Sequence, residues 1–220
     1  MPAQNALRWY ADAMRLWKRG PLAFCGLAFV ILAVNLALSL VPVAGVAAAQ
    51  LVVPLLECAL LYASLAADRG DRPRLSHLLA IAGAPAPAIA AIVAAGLAVF
   101  CAEALVGRFV GGIDMLSPGS NVEAISGTGL AATYAAGVAM SLPVTFVPFA
   151  ALFDGAGFRE AFAQSAAGFA RNMAPLALYG ALSFGLLMIG LATSLLGLLL
   201  ALPWSAAAAY AAWKDIYAVA

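Results

Sequence analysis

Histidine, cysteine and charge are all scarce in this chain. Its 220 residues include one histidine, three cysteines and only 10% Asp, Glu, Lys and Arg. The lone His77 excludes any motif that needs two imidazoles, HExxH among them. Cys25, Cys58 and Cys101 show no CxxC or Cys/His spacing, so neither a metal site nor a disulfide framework is expected, and no cofactor. They read as small apolar packing residues. No GxSxG, DxxD or Ser–His–Asp set occurs, and the paired glycines lack the strand–loop–helix context of a phosphate site. The chain therefore reads as a non-enzyme. A net charge of +1 argues neither way on nucleic acid, and none is expected as a partner. The shortage of charge matters most. Soluble domains carry about 25% charged residues, and 10% cannot make a water-facing surface.

In place of charge there are long apolar runs, in a sequence that is 65% hydrophobic. Six of them, near 21–41, 46–67, 84–106, 129–153, 175–194 and 196–213, approach the roughly 20 residues that a helix needs to cross a hydrocarbon core. They are continuous in Leu, Ala, Val and Ile, without the alternation of barrel strands. The expected fold is all-α: a single polytopic membrane domain over 1–220, with the last two spans separated only at "SLLG". With the N-terminus cytoplasmic, Arg8, Arg15, Lys18, Arg19, Arg69, Arg72, Arg74, Arg159, Arg171 and Lys214 fall on the cytoplasmic side, and only Arg108 on the other. That bias puts both termini in the cytoplasm. A cleaved signal peptide is the alternative for the N-terminus, with "VAAAQ" as a cleavage site, but the run from Pro21 outlasts the usual core of about 7–15 residues.

One junction is written twice. "WKRGPLAFCG" (17–26) and "RNMAPLALYG" (171–180) share Pro, Leu, Ala and Gly at matching places. Before the first, Arg8, Asp12, Arg15 and Arg19 line one helical face and Leu7, Tyr10, Met14 and Trp17 another. That is an amphipathic helix with Trp at the lipid boundary. Before the second, Phe158, Phe162, Phe169 and Met173 mark an apolar stripe on 157–174. The middle of the chain follows more loosely, with a basic amphipathic segment at 72–87. The chain thus divides into three units, about 6–70, 72–155 and 157–217, each an interfacial helix followed by a transmembrane hairpin. At Pro21 and Pro175 the chain either turns from one helix into the next or continues as one kinked helix; Gly20 favours the turn at the first.

The stretches "LWKRGPL" (16–22), "DRG" (68–70), "AFAQSAAGFARNMAP" (161–175) and "YAAWKDI" (210–216) resemble the signposts of an uncharacterised family of six-helix bacterial inner-membrane proteins. That family lies in a wider group resembling the membrane domains of some glycerophosphodiester phosphodiesterases. Trp213 and Lys214 stand where the family favours Tyr and Arg. The resemblance implies a fold and an inner-membrane location. It implies no catalytic residue.

Several polar residues ask for a reason. Glu57 sits about three turns before Asp68, roughly 15 Å from the boundary and near the bilayer centre. Gln50, Glu57 and Ser64 repeat every seven residues, and Asn35 and Ser39 of the first span lie nearer the Gln50 end. An ionisable group at that depth marks a functional site by default; the competing role is a protonated carboxyl bonded across the bundle. Glu103 reads as an interfacial charge paired with Arg108. Asp68, Asp154 and Asp215 each end a span at the cytoplasmic face, where a carboxylate opposes the helix dipole. Pairing with Arg19, Arg159 or Arg171 would clamp each unit to the next. The basic helices could also hold anionic lipid headgroups, at about 1 kcal/mol per Lys or Arg. The outer loop 107–129, with Asp114 and Glu123, reads as a connector.

Two functions fit. One is a non-catalytic membrane assembly or accessory protein, or a lipid-interacting one, its small residues letting helices approach closely. The other is a small-solute or ion transporter or channel built around Glu57, though the clear repeat keeps its orientation and is not an inverted one.

Overall fold

The computed structural model describes residues 1–116 and 126–217, and every regular element among them is helical. In chain order these are α1 (Asn5–Lys18), α2 (Pro21–Ser39), α3 (Ala44–Asp68), a 3-10 segment (Leu75–Gly83), α4 (Ala86–Val106) running into a π turn (Gly107–Gly111), α5 (Gly127–Val144), α6 (Val147–Leu152), α7 (Phe158–Arg171), α8 (Met173–Ala192) and α9 (Leu198–Tyr217). Consecutive long helices pack on each other: α2 on α3, α4 on α5, α8 on α9.

Five stretches are long and apolar enough to cross a membrane: Pro21–Ser39, Ala44–Asp68, Ala86–Gly111, Gly127–Leu152 and Met173–Ala192. These coincide with the first five expected runs to within a few residues. The sixth expected run is a helix as well, α9, but not one of the five. Pro203, Trp204, Ser205, Lys214 and Asp215 dilute its apolar character. Its position explains why. Helices α1, α2, α3 and α8 all pack against α9, and Ala207, Ala208, Ala209, Ala211 and Ala212 are buried between them. A helix surrounded by helices needs small side chains, because close backbone approach and not oiliness holds bundles together in lipid.

Helix α1 packs into the bundle by a face that the Leu7, Tyr10, Met14 and Trp17 stripe covers only in part. Ala6, Trp9, Tyr10, Ala13 and Leu16 are buried, against α9 above all, while Leu7 is exposed and Trp17 only half-buried. Two bonds set this rotation: the Trp9 indole reaches Asp215, and Tyr10 meets α8. Helix α7 likewise turns Ala161, Ser165 and Gly168 inward, leaving Phe158 and the neighbouring Met173 exposed. The middle unit's basic segment forms a 3-10 helix without a buried residue.

Both copies of the repeated junction are breaks between helices. At the first, Pro21 opens α2 behind Gly20, whose missing side chain admits the Pro73 ring. At the second, the break falls at Asn172, ahead of Pro175. The shared glycines do related work: Gly26 receives Leu75 and Gly180 receives Leu142. The short "SLLG" turn is closed by Thr193, whose hydroxyl accepts the Gly197 N–H at 2.9 Å.

The break between α5 and α6 is mended from outside. Pro143 and Pro148 each lack an N–H, so the ladder cannot run through 143–148. Ser165 of α7 closes the gap: its Oγ accepts the Phe146 N–H at 3.0 Å and donates to the Pro143 carbonyl at 2.8 Å. Ser165→Ala should therefore leave two buried backbone groups unpaired and cost about 1–3 kcal/mol. Thermal melts in detergent check this, with Ser141→Ala as control, since the Ser141 hydroxyl bonds only to Val138 of its own helix.

Candidate functional site

Polar groups gather in two places, the middle of the α3–α4–α5 face and the end of the bundle that holds α1 and the tips of α3, α6 and α9.

At the first, Glu57 stands at the midpoint of α3 and is exposed on the bundle's outer surface. Its expected companions do not join it. Ser64 is fully buried and bonds to the Leu60 carbonyl of its own helix at 2.8 Å, Gln50 is half-buried, and Asn35 is exposed on α2 with its carbonyl accepting from Ser39. A seven-residue spacing drifts by about 20° per repeat on a straight helix. One repeat separates Glu57 from Ser64, so the two share a face; Ser64 is buried because it lies in the half of α3 from Cys58 onward, which is packed round by neighbours.

Glu103 departs from expectation. It makes no ion pair with Arg108, which is exposed on the π turn; the two pairs among the described residues are Lys214–Asp68 and Arg15–Asp12. Five residues apart, the two are not neighbours on a helical face, where partners stand three or four apart. The Glu103 carboxyl instead lies on Gly137 of α5, where any methyl group would overlap Oε1. Pro54 packs into the bare Gly96 of α4 one turn from Glu57. The α3–α4–α5 face thus holds two carboxyl groups that the sequence reading treated separately.

At the second place, the three aspartates have different partners from those expected. Asp68 Oδ2 accepts from Tyr210 Oη at 2.9 Å and Lys214 Nζ at 2.7 Å, both on α9. Arg19 lies beside it, its guanidinium donating to the Ala67 carbonyl. Asp215 accepts from Asn5 Nδ2 and Trp9 Nε1 of α1, each at 2.9 Å. Asp154 makes no ion pair among the described residues, and Arg159 and Arg171 are exposed and make none either. The expected Arg clamps are replaced because α9 brings its own lysine and tyrosine to Asp68, and α1 brings an indole and an amide to Asp215. These neutral donors could not be recognised from charge counting.

Between Asp68 and Asp154 lies a cavity of about 390 Å³, lined by Tyr62, Leu65 and Arg69 of the α3 end, Leu152 and Phe153 of the α6 end, and Tyr210 and Trp213 of α9. The positive φ of Gly70 and Gly155 turns the chain away just past each aspartate, leaving the mouth clear. The rings are in mutual contact, Tyr62 edge-on to Phe153 at 5.4 Å and Phe153 to Trp213 at 5.5 Å. Trp213 is 3% exposed, and its Nε1 lies close to the Asp154 carboxyl without a hydrogen bond of ordinary geometry. Burial pushes the Asp154 carboxyl above its ordinary range, against the pull of the nearby Trp213 N–H.

A third polar group escaped the sequence reading. Tyr10 Oη shares a hydrogen bond of 2.7 Å with Ser183 Oγ, the Trp204 indole donates to the Tyr10 carbonyl at 3.0 Å, and Tyr179 stacks on the Tyr10 ring. The only signal was the Tyr179–Ser183 spacing of one helical turn. The group reads as a lock holding α1 to α8 and α9. His77 is half-buried on the 3-10 segment, with burial and then the nearby Arg74 holding it below its usual range. The cysteines are free thiols, and no cluster of three or more His, Cys, Asp or Glu occurs among the described residues. Of the outer loop, residues 117–125, Glu123 with them, lie outside the described residues.

If Asp215 anchors α1, Asp215→Ala should speed tryptic cleavage at Arg8, Arg15 and Lys18 about tenfold, as losing a charge-assisted hydrogen bond costs on the order of 1.5–3 kcal/mol. Lys214→Ala should leave that cleavage rate near wild type. Equal rates in wild type and Asp215→Ala would show that α1 is held by other contacts.

Compared with known proteins, the chain matches no family model, no curated protein and no solved structure.

Proposed function

We propose that the protein is a non-catalytic membrane bundle of six crossing helices, three hairpins each led by a shorter helix, which works by assembling with a partner inside the bilayer. Helix α9 is the sixth span in this reading, and the charge bias supports cytoplasmic termini. The resemblance of its "RNMAP" and "WKDI" stretches to six-helix proteins supports a bacterial inner membrane. Exposed Arg8, Arg15, Lys18, Arg159 and Arg171 suit anionic headgroups.

The observation that carries the reading is the exposure of Glu57 halfway along an apolar helix. A carboxylate facing lipid at that depth costs about 2.5–3.5 kcal/mol. A neighbouring transmembrane helix that offers a Ser, Asn, Lys or Arg opposite Glu57 relieves that cost, each such bond contributing about 0.6–2 kcal/mol.

A second reading has its own support. Glu57 of α3 and Glu103 of the adjoining α4 are two acids on packed apolar helices, the residue type that cation and proton transporters carry inside membranes. One pair of measurements separates the two. Native mass spectrometry from native lipid discs should find wild type with a stoichiometric membrane partner that Glu57→Leu has lost. A lone chain in both cases, together with cation flux in proteoliposomes that Glu57→Gln abolishes without lowering Tm, would replace assembly with transport.

A further inference from the structure

Two turns at the open end of the α2–α3 hairpin are locked together, and both are basic. Any side chain at Gly20 would run into the Pro73 ring, and Leu75 fills the notch that Gly26 leaves on α2. The α1–α2 turn, with Lys18 and Arg19, is thereby seated against the 69–74 turn, with Arg69, Arg72 and Arg74. All five cations are exposed. Arg19 donates to the Ala67 carbonyl, and the other four side chains make no hydrogen bond or ion pair among the described residues. The carboxylates nearby are mostly engaged. Asp12 pairs with Arg15, and Asp68 with Lys214 and Tyr210, so that on these two turns Asp71 alone opposes the cations. The second junction differs: Arg159 and Arg171 stand at opposite ends of α7, about 18 Å apart along its axis.

Apolar surface adjoins these cations. Leu22, 88% exposed, stands on the first turn of α2, a helix long and apolar enough to cross a membrane. Leu79, 75% exposed, stands on the 3-10 segment that follows Arg74, and that segment buries none of its residues. A free anion or an acidic soluble protein would leave both leucines in water. A lipid covers them with its acyl chains while its head lies over the basic turns. The excess of positive charge disfavours a headgroup that brings its own ammonium, and arginine forks match the paired oxygens of a phosphate. We propose that these two turns form a seat for one anionic phospholipid, its phosphate held by Arg72 and Arg74 with Lys18, Arg19 and Arg69 around it. This gives the headgroup attraction proposed above a defined site and rests on α2 crossing the bilayer. Glu57 takes no part, so failure here leaves the assembly reading standing.

The test puts the whole protein into discs of equal phosphatidylglycerol and phosphatidylcholine and ejects it for native mass spectrometry. Wild type should carry one phosphatidylglycerol in preference to phosphatidylcholine. Arg72→Gln with Arg74→Gln should lower the ratio of bound phosphatidylglycerol to phosphatidylcholine about thirtyfold, the loss of two cations at the membrane surface. Arg159→Gln with Arg171→Gln removes equal charge from the second junction and should lower the ratio far less. Equal losses in the two pairs would mean diffuse attraction without a seat, and would overturn the proposal. Wild type without a preference for phosphatidylglycerol overturns it as well, and this arm needs no variant to fold. An acidic protein that leaves native membranes with the wild type, and is lost from the Arg72 and Arg74 variant, would overturn lipid as the occupant.

Discussion

Lipid tails are as apolar as leucine, so a bundle in a bilayer gains little by burying leucine against leucine. What it can gain is close approach and the pairing of groups that lipid cannot solvate. Helix α9 embodies both. Its buried alanines admit four neighbours, and its last turns carry Tyr210, Lys214 and Asp215, which hold Asp68 of α3 and Trp9 of α1. The positions of α1 and α3 at this end follow from those bonds. So does the cavity, whose third wall is α9 itself.

The same rule accounts for the other polar contacts. Ser165 pairs the backbone groups opened by Pro143, Thr193 closes the turn into α9, and Tyr10 meets Ser183 where α1 crosses α8. Pairing is not complete: Trp17 Nε1, His77 Nε2 and Trp213 Nε1 are buried without a hydrogen-bond partner among the described residues. Glu57 differs from these in facing outward from the middle of an apolar helix, which links the packing to the proposed function.

Much of the helical pattern was legible because it depends on runs and breaks. The apolar stretches gave five long helices nearly to the residue, and Gly20–Pro21 and the "RNMAP" stretch marked real helix breaks. What was not legible depended on which neighbour a side chain meets. The stripes on α1 and α7 were read as faces at a lipid boundary, and the residues that pack these helices into the bundle, Trp9 and Tyr10 with Ala6 and Ala13 on α1 and Ala161, Ser165 and Gly168 on α7, form no large apolar stripe of their own. Glu103 was assigned to Arg108 by nearness in sequence, although five residues place the two on different sides of a helix. The aspartates pointed to the right end of the bundle, but their partners were tyrosine, tryptophan and asparagine as much as cations. Neutral donors leave no trace in a charge count.

The account turns on α9 being a crossing helix despite its modest hydrophobicity. The direct measurement is labelling of single cysteines by a membrane-impermeant maleimide in oriented vesicles, with Cys25, Cys58 and Cys101 replaced by alanine. Cysteine at Asp71 and at Gly155 should label from the same side as one at Ile216, and cysteine at Leu196 only from the opposite side. Labelling of Leu196 and Ile216 from one side would mean that α9 does not cross, and the proposed six-helix bundle would fall.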